Sequence, residues 1–399
     1  MDYTHVIVGG GLAGASAVEG IREHDKDGRI LMLSRENHPP YHRPPLSKDL
    51  WFGKKRMDEL PVHPDGYYAD QKVDVALRRE VADLDPDEHT LWDDRGTAYR
   101  YERLLLATGG RPKPLPVEGA DADTVHYYRY LEDYLFLRER AERAHRILIV
   151  GGGFIGSELA AALTHVGKSV IMIYPEDYPL RNVLPRPLGE FVADFYRDKG
   201  VETVSGDSVA MVQSRMGSIV VHTQNGVEVP VDLVVAGLGL RLHTELADAA
   251  GLEVDKGILV DEQLRTSNRD VFAAGDVAEF YCVPIGERMR VEHWDNAIMM
   301  GRCAGANMAG AERIYDHLPM FFSDLFELGW EAVGKVDARL DVVPVWKQEH
   351  REGILYYLEE GVVKGVLLWN VWERVDWARQ LISAGGTLSR EELVQKAAL

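Results

Sequence analysis

The sequence predicts an α/β protein built from two doubly wound parallel-sheet units and a small C-terminal α+β domain, on three observations. The stretch Val6-Ile7-Val8-Gly9-Gly10-Gly11-Leu12-Ala13-Gly14 recurs as Leu148-Ile149-Val150-Gly151-Gly152-Gly153-Phe154-Ile155-Gly156. Each copy reads as an apolar run, a glycine cluster and an Ala-rich helical stretch, and apolar runs without alternation mark strands buried on both faces. From about Asp316 the pattern changes to short alternating stretches at 342–346, 353–358 and 362–369, with a terminal helix from Arg374, as expected of an α+β tail.

The remaining elements follow in order. Residues 103–107 read as a strand ending at Thr108-Gly109-Gly110-Arg111-Pro112, and residues 125–130 lead into a charged helical segment over 131–146. A buried strand over 231–236 closes at Gly237-Leu238-Gly239, and another over 271–274 ends in Gly275-Asp276. The expected division gives residues 1–124 and 246–315 to the first unit, 125–245 to the second and 316–399 to the tail.

Composition bounds the function. A chain of 399 residues, 46% apolar and 27% charged, is an ordinary globular composition and long enough for two or three domains. A net charge of −19 argues against nucleic acid, whose phosphates are bound by Lys and Arg, and against an anionic membrane. Cys282 and Cys303 form no C-x-x-C pair, zinc spacing or disulfide framework, so no metal site is expected and both read as small buried apolar residues. Met1 to His5 lead straight into Val6-Ile7-Val8, leaving no room for a targeting peptide, and no apolar run reaches transmembrane length. A cytoplasmic location is expected.

Gly9-x-Gly11-x-x-Gly14 follows a predicted strand and opens a helix, the context the dinucleotide fingerprint of a Rossmann unit requires. The first glycine makes the tight turn, the second lets the backbone approach a pyrophosphate, and the third lets helix pack on strand. The pyrophosphate then sits on unpaired N–H groups at the helix start. One such cluster is a common turn; two in matching contexts are a specific signal. After the second motif the next strand ends at Tyr174-Pro175-Glu176, where Glu176 can accept both ribose hydroxyls and repel a 2′-phosphate, so NAD(H) is expected over NADP(H). The corresponding strand of the first unit ends at Ser34-Arg35-Glu36. Arg35 occupies the usual acid position, so Glu36 takes the ribose role, with the contact open between the two.

With these motifs placed, Tyr41-His42-Arg43-Pro44-Pro45-Leu46-Ser47-Lys48, Ala107-Thr108-Gly109-Gly110 and Ala274-Gly275-Asp276 resemble the pyridine-nucleotide-dependent flavoprotein reductases. The resemblance narrows to the branch of ferredoxin reductases and apoptosis-inducing factor. The missing cysteine pair excludes a disulfide reductase. Gly153-Phe154-Ile155-Gly156-Ser157-Glu158-Leu159-Ala160, Met320-Phe321-Phe322-Ser323-Asp324-Leu325 and Gly365-Val366-Leu367-Leu368-Trp369-Asn370 favour the apoptosis-inducing-factor side. Val291-Glu292-His293-Trp294-Asp295 fits both. The resemblance implies FAD in the first Rossmann domain, NADH in the second, and hydride transfer from NADH to the flavin N5. No counterpart is expected to the animal protein's leader, its membrane anchor or its insertion after the Lys48 segment, nor to its long C-terminal insertion, where Trp346 leads almost directly to Gly353. The redox chemistry alone is expected to carry over.

The same resemblance implies roles for single residues. Lys48 and Glu158 meet beside the flavin as an ion pair spanning the two Rossmann domains, and with His293 they are the catalytic candidates. Gly9, Gly10, Gly11, Leu12, Ala13, Gly14, Arg35, Glu36, Arg43, Val81, Arg129 and Asp276 fall on the FAD side. Gly152, Gly153, Phe154, Ile155, Glu176, Arg181, Gly239 and Glu331 fall on the NADH side. Glu292, His293, Trp294 and Phe322 flank the rings. For the aromatics core packing is the competing reading, as a surface lysine is for Lys48 taken alone. The acceptor stays open among a quinone, oxygen and a small redox protein, as does a homodimer. Two other functions stay open beside this one: a ferredoxin or rubredoxin reductase serving an oxygenase, and an NADH-sensing interaction protein.

Overall fold

The computed structural model describes residues 1–215 and 218–398. The chain forms two compact units, each assembled from separated stretches. The first comprises Met1–His42, Asp58–Arg111 and Arg241–Phe321; the second comprises Arg43–Met57, Pro112–Leu240 and the chain from Phe322 onward.

In the first unit, Asp2–Val8 lies between Ile30–Ser34 and Ala98–Leu106, all parallel, with Val8 opposite both Leu33 and Leu106. Val73–Leu77 extends the sheet beyond Ile30–Ser34, and Val271–Ala273 pairs parallel with the end of Ala98–Leu106. Ile30 to Ser34 are all buried, which is why this strand carries no polar alternation. Helix Leu12–His24 crosses helix Trp294–Met308 at backbone contact: a Cβ on Gly301 would stand 2.3 Å from the Ala13 carbonyl oxygen, and one on Gly305 2.1 Å from that of Ala17. Small residues at that crossing fix where His293 and Trp294 begin their helix. Val81–Asp85 and Thr90–Asp93 add an antiparallel ribbon at the start of Ala98–Leu106.

In the second unit, five parallel strands run in the order Glu202–Ser205, Ser169–Tyr174, Arg146–Val150, Leu233–Ala236, Val125–Tyr127. The expected strand over 231–236 is broken at Asp232, whose carboxylate accepts the backbone N–H groups of His145 and Arg146 at 2.7 and 2.8 Å. Those donors hold its pKa below the usual carboxylate value. Glu228–Val231 therefore belongs to a separate antiparallel meander with Val209–Arg215 and Ser218–Thr223. A five-stranded sheet, Met320–Leu325, Leu328–Gly334, Val362–Trp369, Glu352–Glu359, Asp341–Gln348, forms the tail. Trp330, Tyr356, Tyr357 and Trp369 are fully buried in it. Two helices close the chain, Val375–Ala384 and Arg390–Ala397, where the pattern suggested one.

Cys282 is buried and Cys303 half-buried, and burial pushes both thiols up to about 11. Among the described residues, no helix is long and apolar enough to cross a membrane.

Candidate active site

The two glycine turns have the same construction. Gly9 and Gly151 sit at φ +129° and +114°, and a Cβ there would meet the carbonyl oxygens of Ala107 and Gly237 at 2.1 and 2.5 Å. Only glycine allows that turn against the neighbouring strand end. Gly14 and Gly156 press their helices onto the turn, each within 2.2 Å of its carbonyl oxygen if given a Cβ. Gly11 and Gly153 differ: nothing stands within 4 Å of a Cβ built on either. Both are N-caps without a side-chain cap, and neither helix, Leu12–His24 or Phe154–His165, has an acid in its first turn. Free N–H groups and a positive dipole end facing open space suit a pyrophosphate. Both turns thus fit a dinucleotide.

Around the first turn, Leu12 and Ala13 open the helix, and Gly10 backs onto Ser34, whose Oγ a Cβ would approach to 2.5 Å. Arg35 is exposed and Glu36 half-buried. Glu36 accepts a 2.6 Å hydrogen bond from the Tyr41 hydroxyl, which sets its carboxylate. Gly275 approaches Ala13, with 3.0 Å between its would-be Cβ and that of Ala13, so Asp276, in the turn Gly275–Val277, lies beside the first turn. Val81 stands opposite Asp93 at the ribbon's edge. Glu292 pairs with Arg290. The His293 ring stacks on Phe321 at 4.2 Å and 6°, and the Trp294 indole N–H donates to His42 Nδ1 at 3.0 Å. Trp294 remains 38% exposed, so it is not a core residue.

In the second unit, Gly152 backs onto the Tyr174 ring, and Ile155 follows Phe154 in the first helical turn. Phe154 is half-buried with its ring 5.7 Å from that of Trp330. Next to Trp330, Glu331 has an Oε2 that is buried without a hydrogen-bond partner, and burial raises its pKa. A buried acceptor left open is uncommon in folded proteins and marks a place for a donor. Glu176 is half-buried at the end of Ser169–Tyr174, Arg181 is exposed, and Gly239 adopts φ +82°. Arg43 donates to the Arg129 carbonyl oxygen at 3.1 Å and stacks over the Tyr130 ring.

A buried polar cluster in this unit lies around Lys48. Its Nζ stands 3.1 Å from Glu158 Oε1 and 3.9 Å from Asp324 Oδ2, and 4.1 Å above the Phe322 ring. Lys48 and Glu158 are 6% and 5% exposed. Ser47 and Ser323 hydroxyls donate to Glu158 at 2.6 and 2.7 Å. A snorkelling surface lysine is therefore ruled out for Lys48. The pair was expected to span two Rossmann domains; instead both partners belong to one compact unit, because residues 43–57 group with the second. The cause is an aromatic brace: Trp51 Nε1 donates to the Tyr128 hydroxyl at 3.2 Å, and that hydroxyl donates to the Leu46 carbonyl oxygen. Sequence reasoning passed over Ser47, Ser323 and Asp324. All three stand within the stretches that carry the resemblance, close in sequence to Lys48 or Phe322, without a role of their own.

The chain matches the family described as pyridine nucleotide-disulphide oxidoreductase over residues 3–301. Residues 304–352 and 347–384 match the C-terminal family of mitochondrion-associated apoptosis-inducing factor. It is 31% identical to mitochondrial apoptosis-inducing factor 1 of Dictyostelium discoideum, covering 99% of this chain and 81% of that protein. It is 35% identical to putidaredoxin reductase of Pseudomonas putida, covering 82% and 79% respectively. Among solved structures, a ferredoxin reductase of Rhodopseudomonas palustris superposes with a TM-score of 0.92 at 30% identity, covering 99% of this chain and 97% of that one.

Proposed function

Because the chain belongs to the pyridine nucleotide-disulphide oxidoreductase family, we propose that the first glycine turn holds FAD and the second binds NADH, and that Lys48, Glu158 and His293 serve the redox centre. The protein is an NADH-dependent flavoprotein oxidoreductase. The observation that carries the assignment is the duplicated turn, with an open, uncapped helix start at both Gly11 and Gly153.

When bound, FAD supplies the ring that takes a hydride from NADH and passes the electrons to an acceptor. The chain's own residues bind and orient. Gly9, Gly10, Gly11, Leu12, Ala13 and Gly14 present backbone to one pyrophosphate, with Glu36 for the ribose and Arg43, Val81, Arg129 and Asp276 as further FAD contacts. Gly152, Gly153 and Ile155 present backbone to the other, with Glu176 for the adenine-side ribose. The open Glu331 oxygen offers an acceptor to an amide donor, and Phe154 and Phe322 offer flat apolar faces to a nicotinamide. Holding the donor ring in place removes much of the entropic barrier. Lys48 offers its ammonium to negative charge on the reduced ring.

For the acceptor, the second reading is a small ferredoxin-type carrier, favoured by likeness to putidaredoxin reductase and to the rubredoxin-NAD(+) reductase of Pseudomonas putida. One experiment tests the whole assignment. The purified protein is expected to be yellow with one FAD per chain, and to be bleached by NADH under anaerobic conditions. Carrier, quinone or oxygen is then added in turn, and the acceptor that restores the colour within the turnover time is the substrate. A colour that no acceptor restores would replace turnover with a long-lived sensing complex; FMN, or no flavin after reconstitution, would end the proposal.

A further inference from the structure

Two hydroxyls fix the Glu158 carboxylate of the Lys48–Glu158 pair, while the Lys48 ammonium also donates to the Phe322 carbonyl oxygen at 3.5 Å. Ser47 Oγ donates to Glu158 Oε2 at 2.6 Å, and Ser323 Oγ donates to Oε1 at 2.7 Å. Both serines are buried, Ser47 at 3% exposure and Ser323 at 0%. They arrive from different parts of the chain. Ser47 comes from the segment that carries Lys48, and Ser323 from strand Met320–Leu325, which also carries the ring beneath the ammonium. A carboxylate with a short donor on each oxygen cannot turn without leaving buried hydroxyls and oxygens unpaired. Its orientation is thereby set, with Oε1 shared between Ser323 and Lys48.

The alternative position for the ammonium is visible. Asp324 Oδ2 lies 3.9 Å from Lys48 Nζ, and the Asp324 side chain is 51% exposed. Were Glu158 free to rotate, Lys48 would have an anion toward solvent to follow. We propose that Ser47 and Ser323 are positioning residues for the redox reaction: their hydroxyls lock the Glu158 carboxylate so that it holds the Lys48 ammonium over Phe322 instead of releasing it toward Asp324. This rests on Lys48 acting at the redox centre.

The test uses the FAD-loaded protein. Ser47→Ala and Ser323→Ala are made in the natural sequence and again in a Glu158→Ala background, with Lys48→Ala as reference. Each is followed by stopped-flow reduction with NADH, by the midpoint potential of the bound flavin and by melting temperature. Each serine substitution is expected to slow the limiting reduction rate about tenfold, the loss typical of one hydrogen bond to an ionised group. The KM for NADH is expected to stay within about twofold, because the serines touch no substrate. The flavin potential is expected to fall, because the ammonium no longer favours the reduced ring. Ser47→Thr, which keeps the hydroxyl, is expected to recover both. In the Glu158→Ala background the serine effects are expected to shrink below about twofold, since their target is gone.

If Lys48→Ala is slow while both serine variants keep normal rate and potential, the positioning role is wrong and the catalytic reading survives. Serine effects that persist undiminished without Glu158 also overturn it. A normal rate in Lys48→Ala removes the reading and the proposal together. Should Ser323→Ala fail to fold, Ser47→Ala and Ser323→Cys, which keeps the volume and loses the strong donor, decide by the same criteria.

Discussion

At the scale of single residues, burial decides what a charge does. Lys48 and Glu158 keep each other compensated where water is scarce. Deleting Lys48 leaves Glu158 at the cost of an uncompensated buried charge, on the order of 3–5 kcal/mol unless a proton or water relieves it, whereas deleting Glu158 leaves Lys48 with Asp324 at 3.9 Å as its remaining anion. Lys48→Ala and Glu158→Ala are each expected to slow flavin reduction, and the double variant to be far from additive, because one interaction is removed twice. Stopped-flow rates for the four proteins check this; additive losses would mean two independent roles. His5 and Asp25 make a pair of another kind, at 2.9 Å. Burial lowers the His5 pKa despite Asp25. For Asp25, burial works the other way, but the Gly28 and Asp27 amides and His5 outweigh it and bring the carboxyl to about 2. The signs follow from linkage. A histidine kept neutral by the fold contributes stability that is present above its ordinary value of about 6.5 and declines as pH falls below it. A depressed carboxyl contributes stability present above its ordinary value and lost as pH falls toward 2. Melting temperature is expected to decline in two steps on acidification, and Asp25→Asn to shrink the lower one, to which Asp207, Asp232 and Glu23, also held below the usual carboxylate range, contribute as well. A wild-type profile flat from neutral pH to 4 would contradict the first step.

At the scale of elements, the glycine turns separate fold from binding within one motif. A Cβ on Gly153 meets nothing within 4 Å, whereas one on Gly156 would stand 2.0 Å from the Gly151 carbonyl oxygen. Gly153→Ala is therefore expected to keep the melting temperature and lose NADH affinity, its methyl occupying space a pyrophosphate needs. Gly156→Ala is expected to lose stability by several kcal/mol, in the range of a serious backbone clash. Circular dichroism melts and NADH titrations check both, and equal damage to stability in the two would undo the distinction. These turns were legible because each of their glycines answers a separate steric demand, and because a strand of uninterrupted apolar residues precedes each. The meanders were not. Val81–Asp85 is mostly half-buried or exposed, so its alternation carries no more signal than a loop. The brace that ties residues 43–57 to the second unit joins Trp51 to Tyr128, residues far apart in sequence whose types name no partner. Ser47 and Ser323 are small polar residues that acquire meaning only from Glu158 between them.

At the scale of the whole molecule, the charge of −19 distinguishes the acceptors. Like-signed proteins repel at a distance, and the repulsion is screened over about 8 Å at physiological ionic strength. A carrier of the acidic ferredoxin type would approach against this field, so its reduction rate at subsaturating concentration is expected to rise with added salt. Only a local basic face strong enough to reverse the sign would make the rate fall. Oxygen and neutral quinones carry no charge, and their rates are expected to be flat over the same range. NADH is itself an anion, so its own salt dependence must be separated first, by measuring anaerobic flavin reduction without any acceptor. The decisive measurement is reoxidation of prereduced protein by each acceptor across a salt series. A rate that rises with salt for an acidic carrier, beside flat rates for oxygen and quinone, would show that the carrier meets the protein's overall field. A carrier rate as flat as that of oxygen would contradict the assumption that net charge governs the encounter.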